Sequence, residues 1–183
     1  MKKIAFFLSI LLVLSLASAS FAESYSFEDA GVTIEIPDTM AVMDQLLDTE
    51  GGDEPIDGIY MLAMADEAYP NVGFGLILSY DDAFANLNLA NLSNDEMETF
   101  ATDILTSIGI SAAAFESVTS ESTGTTYFIC TSEDQSQANF LCVVNGWLLN
   151  LGITQSEGAA LTEADANVCV DMLQSIVANE VAA

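Results

Sequence analysis

The sequence predicts an α+β domain, an antiparallel β-sheet packed by helices. Three observations carry this. Short alternating or apolar runs recur along the chain, separated by Gly, Asn, Asp and Pro. Two stretches place apolar residues at helical period, each behind a capping signal. Asn145-Gly146, set between two apolar runs, is a strong hairpin signal.

The N-terminus reads as a secretory signal peptide. Met1-Lys2-Lys3 is basic, Ile4 to Leu16 is apolar apart from Ser9 and Ser15, and Ser20-Phe21-Ala22 fits a small-x-small cleavage site. Ala17-Ser18-Ala19 is an alternative site. The run is short of the ~20 residues a membrane span needs. No cysteine sits at the cleavage point to take a lipid anchor. The expected organisation is a signal peptide over 1–22, cleaved near Ala22-Glu23, and one secreted domain over 23–183. That domain has 161 residues (183 less 22), enough for a sizeable core.

The elements of this domain follow in order. Tyr25-Ser26-Phe27 and Val32 to Ile36 alternate about Asp29-Ala30-Gly31, a hairpin closed by Pro37. Thr39 to Leu47 places Met40, Met43, Leu46 and Leu47 on one side of a short helix. Ile59 to Ala65 and Val72 to Tyr80 read as strands. Asp81 to Leu92 is irregular. Ser93 and Glu96 form a capping box ahead of Met97, Phe100, Ala101, Ile104, Leu105 and Ile108, with Gly109 as the stop. Phe115 to Ser122, Thr125 to Thr131, Ala138 to Val144 and Trp147 to Ile153 are the remaining strands. The two-residue turn pairs Val144 with Trp147, Cys142 with Leu149 and Phe140 with Leu151, all on the core face. A helix from Thr162 to about Ala178 closes the chain, with Val168, Cys169, Met172, Leu173 and Ile176 inward.

Charge excludes more than it assigns. The chain has 28 Asp and Glu, no His, and only two basic residues, Lys2 and Lys3. Without the first 22 residues the formal charge is −28, every acid and no base. Nucleic acid is excluded as a partner, because phosphates need Lys or Arg to displace counterions. Anionic membrane surfaces are excluded for the same reason. His-based triads, Schiff-base lysines and His-ligated zinc are absent. With 51% hydrophobic residues the acidity does not indicate disorder.

Candidate sites are few. The acidic, Gly-rich loop holding Asp48, Glu50, Asp53, Glu54 and Asp57 is the best cation candidate, with Ca2+ the ion such a flexible oxygen-rich loop suits. Its spacing is not that of an EF-hand. The plain alternative is a solvated loop. Asp81-Asp82 and Glu133-Asp134 read as turn residues. Tyr60, Tyr69, Tyr80 and Trp147 are candidates to line a ligand groove, although the hairpin turn places Trp147 in the core. Cys130, Cys142 and Cys169 are an odd set. Cys130 and Cys142 flank one hairpin and can pair; otherwise all three are small buried hydrophobes.

The element order resembles the PsbP-like fold, an α/β/α sandwich. That family includes the PsbP accessory protein of photosystem II, secreted bacterial proteins of the DcrB type and a yeast nuclear-transport factor. The resemblance lies in Phe27, Gly31 and the strand Val32-Thr33-Ile34-Glu35-Ile36-Pro37 at one end. At the other it lies in Trp147 to Ile153 followed by Thr162 to Ala178. A tryptophan common after the opening proline is replaced by Asp38-Thr39-Met40. The resemblance implies a non-enzymatic binding or accessory role, and no ligand-binding residue carries over. The expected function is therefore a secreted non-catalytic binding domain. Its partner is a cation, a cationic or neutral protein, or a small molecule between sheet and helix. The alternatives are an extracellular glycoside hydrolase using two carboxylates, and a salt-adapted acidic protein with no specific cation role.

Overall fold

Alternation of side chains is what the strands obey, and it places the core. The computed structural model describes residues 21–28, 30–43, 59–107, 109–120, 123–156 and 158–178. Seven strands form one antiparallel sheet in the order β3-β4-β5-β9-β8-β7-β6. They are β3 (Met40–Met43), β4 (Ile59–Asp66), β5 (Val72–Tyr80), β6 (Ala114–Thr119), β7 (Thr126–Thr131), β8 (Gln137–Val144) and β9 (Trp147–Gln155). A second sheet has three strands, in the order β1-β2-β10: β1 (Phe21–Phe27), β2 (Val32–Pro37) and β10 (Val177–Ala178). The helices are α1 (Asn94–Ser107) and α2 (Glu163–Gln174). The α+β class read from the sequence is the class observed.

The large sheet is covered on both faces. Phe74, Leu76, Leu78, Phe140, Cys142, Leu149 and Leu151 point one way, into a core shared with Ile34 and Ile36 of β2 and with Cys169, Met172 and Leu173 of α2. Phe128, Cys130, Leu141 and Leu148 point the other way and meet Met97, Ala101 and Leu105 of α1. Each fully buried Leu, Ile or Phe contributes about 1.5–3 kcal/mol. Among the described residues no helix is long and apolar enough to cross a membrane.

The hairpin signals are realised in detail. Val144, Cys142 and Phe140 pair with Trp147, Leu149 and Leu151 in register. Asn145 and Gly146 take φ of 52° and 80°, the left-handed pair of a two-residue turn. The Asn145 amide also donates to the carbonyls of Ala30 and Gly31 at 3.2 and 3.1 Å, tying this turn to the β1-β2 turn. At α1 the Ser93 N–H donates to Glu96 at 2.8 Å and the Glu96 N–H returns to the Ser93 hydroxyl at 3.4 Å. The Ser93 hydroxyl also donates to the Glu96 carboxylate at 2.7 Å, and this bond, with that from the Ser93 N–H, holds the Glu96 carboxyl below its usual range.

Two expectations fail locally. Met40–Met43 is a strand, not the start of a helix; residues 44–47 lie outside those described. Four residues suit either period. The open edge of β4 decides, because pairing there satisfies backbone groups that a short helix would leave to water. The Thr39 hydroxyl anchors the entry by donating to Asp66 at 2.6 Å. The terminal helix stops at Gln174 instead of reaching Ala178. Val177 and Ala178 instead pair with Thr33 and Val32 of β2.

The end of α2 shows how a chain without cations finishes a helix. No basic residue lies in the last turn of either helix. Hydroxyls replace them. Ser107 donates to the Ile104 carbonyl and Ser175 to the Met172 carbonyl, both at 2.6 Å. The buried Tyr127 hydroxyl donates to the Leu173 carbonyl at 2.7 Å. The Ser175 hydroxyl also accepts from the Glu35 N–H at 2.8 Å. Residue 175 faces residue 35 in the β10-β2 register, so this side chain continues the ladder where the backbone still turns.

Candidate functional site

Among the described residues a half-enclosed cavity lies on the α1 side of the large sheet. It holds about 220 Å³ and is lined by Ile77, Ser79, Tyr80, Asp81, Phe84, Ile104, Ser107, Leu148 and Asn150. Alternation creates it. Residues 77 and 79 of β5 and 148 and 150 of β9 face away from the main core, and Ile77 pairs with Asn150 while Ser79 pairs with Leu148. The last turn of α1 supplies Ile104 and Ser107. A 3₁₀ turn at Asp82–Phe84 supplies Phe84 and forms the rim.

Its polar groups are unequal. Asn150 is 6% exposed, and its Oδ1 has no hydrogen-bond partner. A buried amide oxygen left unpaired costs about 1–3 kcal/mol. Asp81 caps the 3₁₀ turn by accepting from the Ala83 N–H at 2.8 Å. The Tyr80 hydroxyl donates to Asp82 at 3.0 Å, and that bond, with the Asp82 charge, raises the Tyr80 hydroxyl above its ordinary range. The apolar walls are Ile77, Phe84, Ile104 and Leu148.

The sequence-derived candidates fall differently. Asp48, Glu50, Asp53, Glu54 and Asp57 lie outside the described residues. Among the described residues no three Asp, Glu or Cys side chains gather closely enough to share a metal ion. Glu133-Asp134 is a turn; Asp134 accepts from the hydroxyls of Ser132 and Ser136 and from the Ser136 N–H, which lowers its carboxyl to about 2. Asp81-Asp82 is a turn too, but Asp81 also lines the cavity. Tyr60 and Tyr80 flank Trp147 at 5.5 and 5.4 Å between ring centres. Phe27 and Tyr25 extend the row at 5.4 and 5.2 Å. The row ends at half-exposed Tyr80 on the cavity wall, while Trp147 is in the core. Tyr69 is apart, edge-on to Phe74.

The three thiols are free and buried. Cys130 belongs to the α1 side and Cys142 to the α2 side of the sheet, so the pairing that their flanking positions allowed does not occur. Burial pushes both up to about 12, and burial with the nearby Asp165 charge raises Cys169 further. None is a thiolate nucleophile near neutral pH.

Sequence reasoning missed Asn150, Ser79, Ser107, Phe84 and Ile104 as cavity residues. One signal was present. In Trp147–Gln155 the residues between the core positions begin with Leu148, which already implied a second covered face with Asn150 on it.

No family model and no curated protein matches the chain. Solved structures do. The solution structure of cyanobacterial PsbP (CyanoP) from Synechocystis sp. PCC 6803 aligns over 90% of this chain and 95% of that one, with TM-score 0.53 and 15% identity. A crystal structure from Bacteroides thetaiotaomicron aligns over 88% of this chain and 50% of that one, with TM-score 0.41 and 10% identity. With that likeness and this sheet order, the architecture of the chain is the PsbP-like fold.

Proposed function

We propose that this is a secreted, non-catalytic binding domain that holds a small molecule between α1 and the large sheet. One observation carries the reading: a half-enclosed, mainly apolar cavity whose lining includes a few polar residues, Ser79, Asp81 and Asn150 among them. Such combinations of apolar wall and few convergent polar groups are characteristic of ligand sites. The PsbP-like resemblance implies the same kind of role. The hydrolase reading needs two carboxylates facing one cleft; this cavity is lined by one, Asp81.

Nuclear magnetic resonance titration with an uncharged probe, 1,5-pentanediol, tests the reading. Resonances of Ile77, Ile104 and Leu148 should move together and saturate. Shifts scattered over the surface, or none, would remove the proposal.

Export is the second part. The β1-β2 ladder runs regularly from Glu23 to Phe27 and is interrupted by a bulge between Phe21 and Glu23. Cleavage after Ala22 leaves the regular ladder whole. Mass measurement of the protein recovered outside the cytoplasm should give a chain starting at Glu23. A chain still carrying Lys2 and Lys3 would contradict this.

A further inference from the structure

We propose that Asn145 is a modification site: a clasp between the two sheets whose side-chain amide hydrolyses only when the clasp opens, after which it cannot re-form. A reactive dipeptide here meets a distant stretch of backbone. Asn145 is the only asparagine of the chain that is followed by glycine. Every other asparagine precedes Leu, Val, Phe or an acid. A side chain on the following residue hinders attack by its backbone nitrogen, and glycine has none.

The reaction needs only water. The Gly146 nitrogen, losing its proton to base, attacks Asn145 Cγ. A succinimide ring closes as the Cγ–Nδ2 bond breaks, and Nδ2 leaves as ammonia. Water then opens the ring at either of its two carbonyls. The product is a carboxylate, with the backbone either normal or longer by one methylene.

The folded structure opposes each part of this. Asn145 Nδ2 donates to the carbonyls of Ala30 and Gly31 at 3.2 and 3.1 Å, 115 and 114 residues away in sequence. An amide nitrogen has two donors, matching the two carbonyls. They hold the side chain on the β1-β2 turn. Gly146 is buried, and a Cβ there would lie 3.1 Å from the Ala85 Cα, so Ala85 backbone packs over it and impedes base. The φ of 52° and 80° at the two residues are fixed by the Val144–Trp147 pair that closes the turn. Ring closure therefore requires local opening. The product cannot restore the tie. An ionised carboxylate only accepts, and it would face two carbonyl oxygens. The clasp is a one-way record: a chain that lingers unfolded loses the link between its sheets, and one that folds promptly keeps it.

Two measurements test this. The protein is held at mildly alkaline pH, folded in buffer or unfolded in urea, and peptides from a Glu/Asp-specific protease are weighed over time. The mass gain of an amide becoming an acid should appear on the peptide holding Asn145 at least about tenfold faster in urea, because a reaction confined to the open state follows the opening equilibrium. Asp57-Gly58 can close the same ring, but its product has the mass of the starting chain. The tie itself is read in Asn145→Asp and Asn145→Gly. Asp-Gly and Gly-Gly suit the same turn, so both variants keep the hairpin and remove the donors. Hydrogen exchange at the amides of Phe27, Gly31 and Val32 should quicken about tenfold in Asn145→Gly, and further in Asn145→Asp, where a charge faces the carbonyls. If Asn145→Asp does not fold, Asn145→Gly and the conversion rates still decide. Conversion as fast in buffer as in urea, no conversion in either, or exchange unchanged in Asn145→Gly overturns the proposal.

Discussion

Replacing Gly146 with valine is expected to destabilise the protein by about 2–5 kcal/mol, among the largest effects of any single substitution here. Two costs combine. Its φ of 80° is a left-handed conformation, which costs a non-glycine residue about 1–2 kcal/mol and a β-branched one more. A Cβ at this position would also lie 3.1 Å from the Ala85 Cα, a backbone atom that cannot swing aside. Overpacking of that kind costs about 1–3 kcal/mol. In a domain of this size the sum corresponds to a fall of very roughly 5–20 °C in melting temperature. Gly109 is the internal control. Its φ is 76°, yet nothing lies within 4 Å of a Cβ there, so Gly109→Val should lose only the conformational part. Thermal unfolding of the two variants decides the matter; equal losses would mean that the approach of the β8-β9 turn to Ala85 has no energetic weight. Since Ala85 follows the 3₁₀ turn bearing Phe84, Gly146→Val should also weaken any ligand of the cavity.

The second large effect belongs to the whole surface. Raising salt from about 10 mM to about 500 mM, which takes the Debye length from about 30 Å to under 10 Å, should raise the melting temperature by several degrees. Two unit charges 10 Å apart in water repel by about 0.4 kcal/mol, so a dozen such pairs reach about 5 kcal/mol, part of which the unfolded chain relieves by spreading the charges. With 28 acids and no base beyond Lys3, no attraction offsets it. A flat melting temperature across that range would sink the idea. Magnesium at equal ionic strength separates screening from a specific calcium site, because its stricter geometry should not reproduce a calcium shift.

Acidification should act the same way, and then reverse. Burial holds the carboxyls of Glu116 and Asp171 above their ordinary range. The folded protein binds those protons more tightly than the unfolded chain, so each group adds stability as pH falls through its folded value, completely so below the unfolded value near 4. Glu96 and Asp134 are lowered by hydrogen bonds. Their stability is present above the unfolded value and is lost as pH falls through the folded one, about 2 for Asp134. The optimum is therefore expected at about pH 4–5, below neutrality, followed by a decline toward pH 2. A steady loss of stability from pH 7 to pH 4 would contradict this.

Local signals in the sequence were sufficient wherever one short stretch sets its own geometry. Asn145-Gly146 specified a register that three residue pairs obey, and Ser93 with Glu96 specified where α1 begins. Signals failed where a distant partner decides. Met40–Met43 fits two periods, and only the edge of β4 chooses between them. The end of α2 depends on Glu35, 140 residues away, offering its N–H to Ser175. The cavity was least legible. It is assembled from β5, β9, a 3₁₀ turn and α1, which no single stretch of sequence brings together.

The position of β2 has a consequence for how the chain matures. It lies between β1, the first strand, and β10, the last, and its apolar side is covered by α2 near the other end of the sequence. The core shared by β2 and α2 is therefore finished only by the last residues of the described chain, whereas the core on the α1 side is complete by Leu148. Synthesis must be essentially complete before the small sheet can close, and until then the α2 side of the large sheet stays uncovered. For a protein proposed to leave the cytoplasm, late closure keeps the chain threadable.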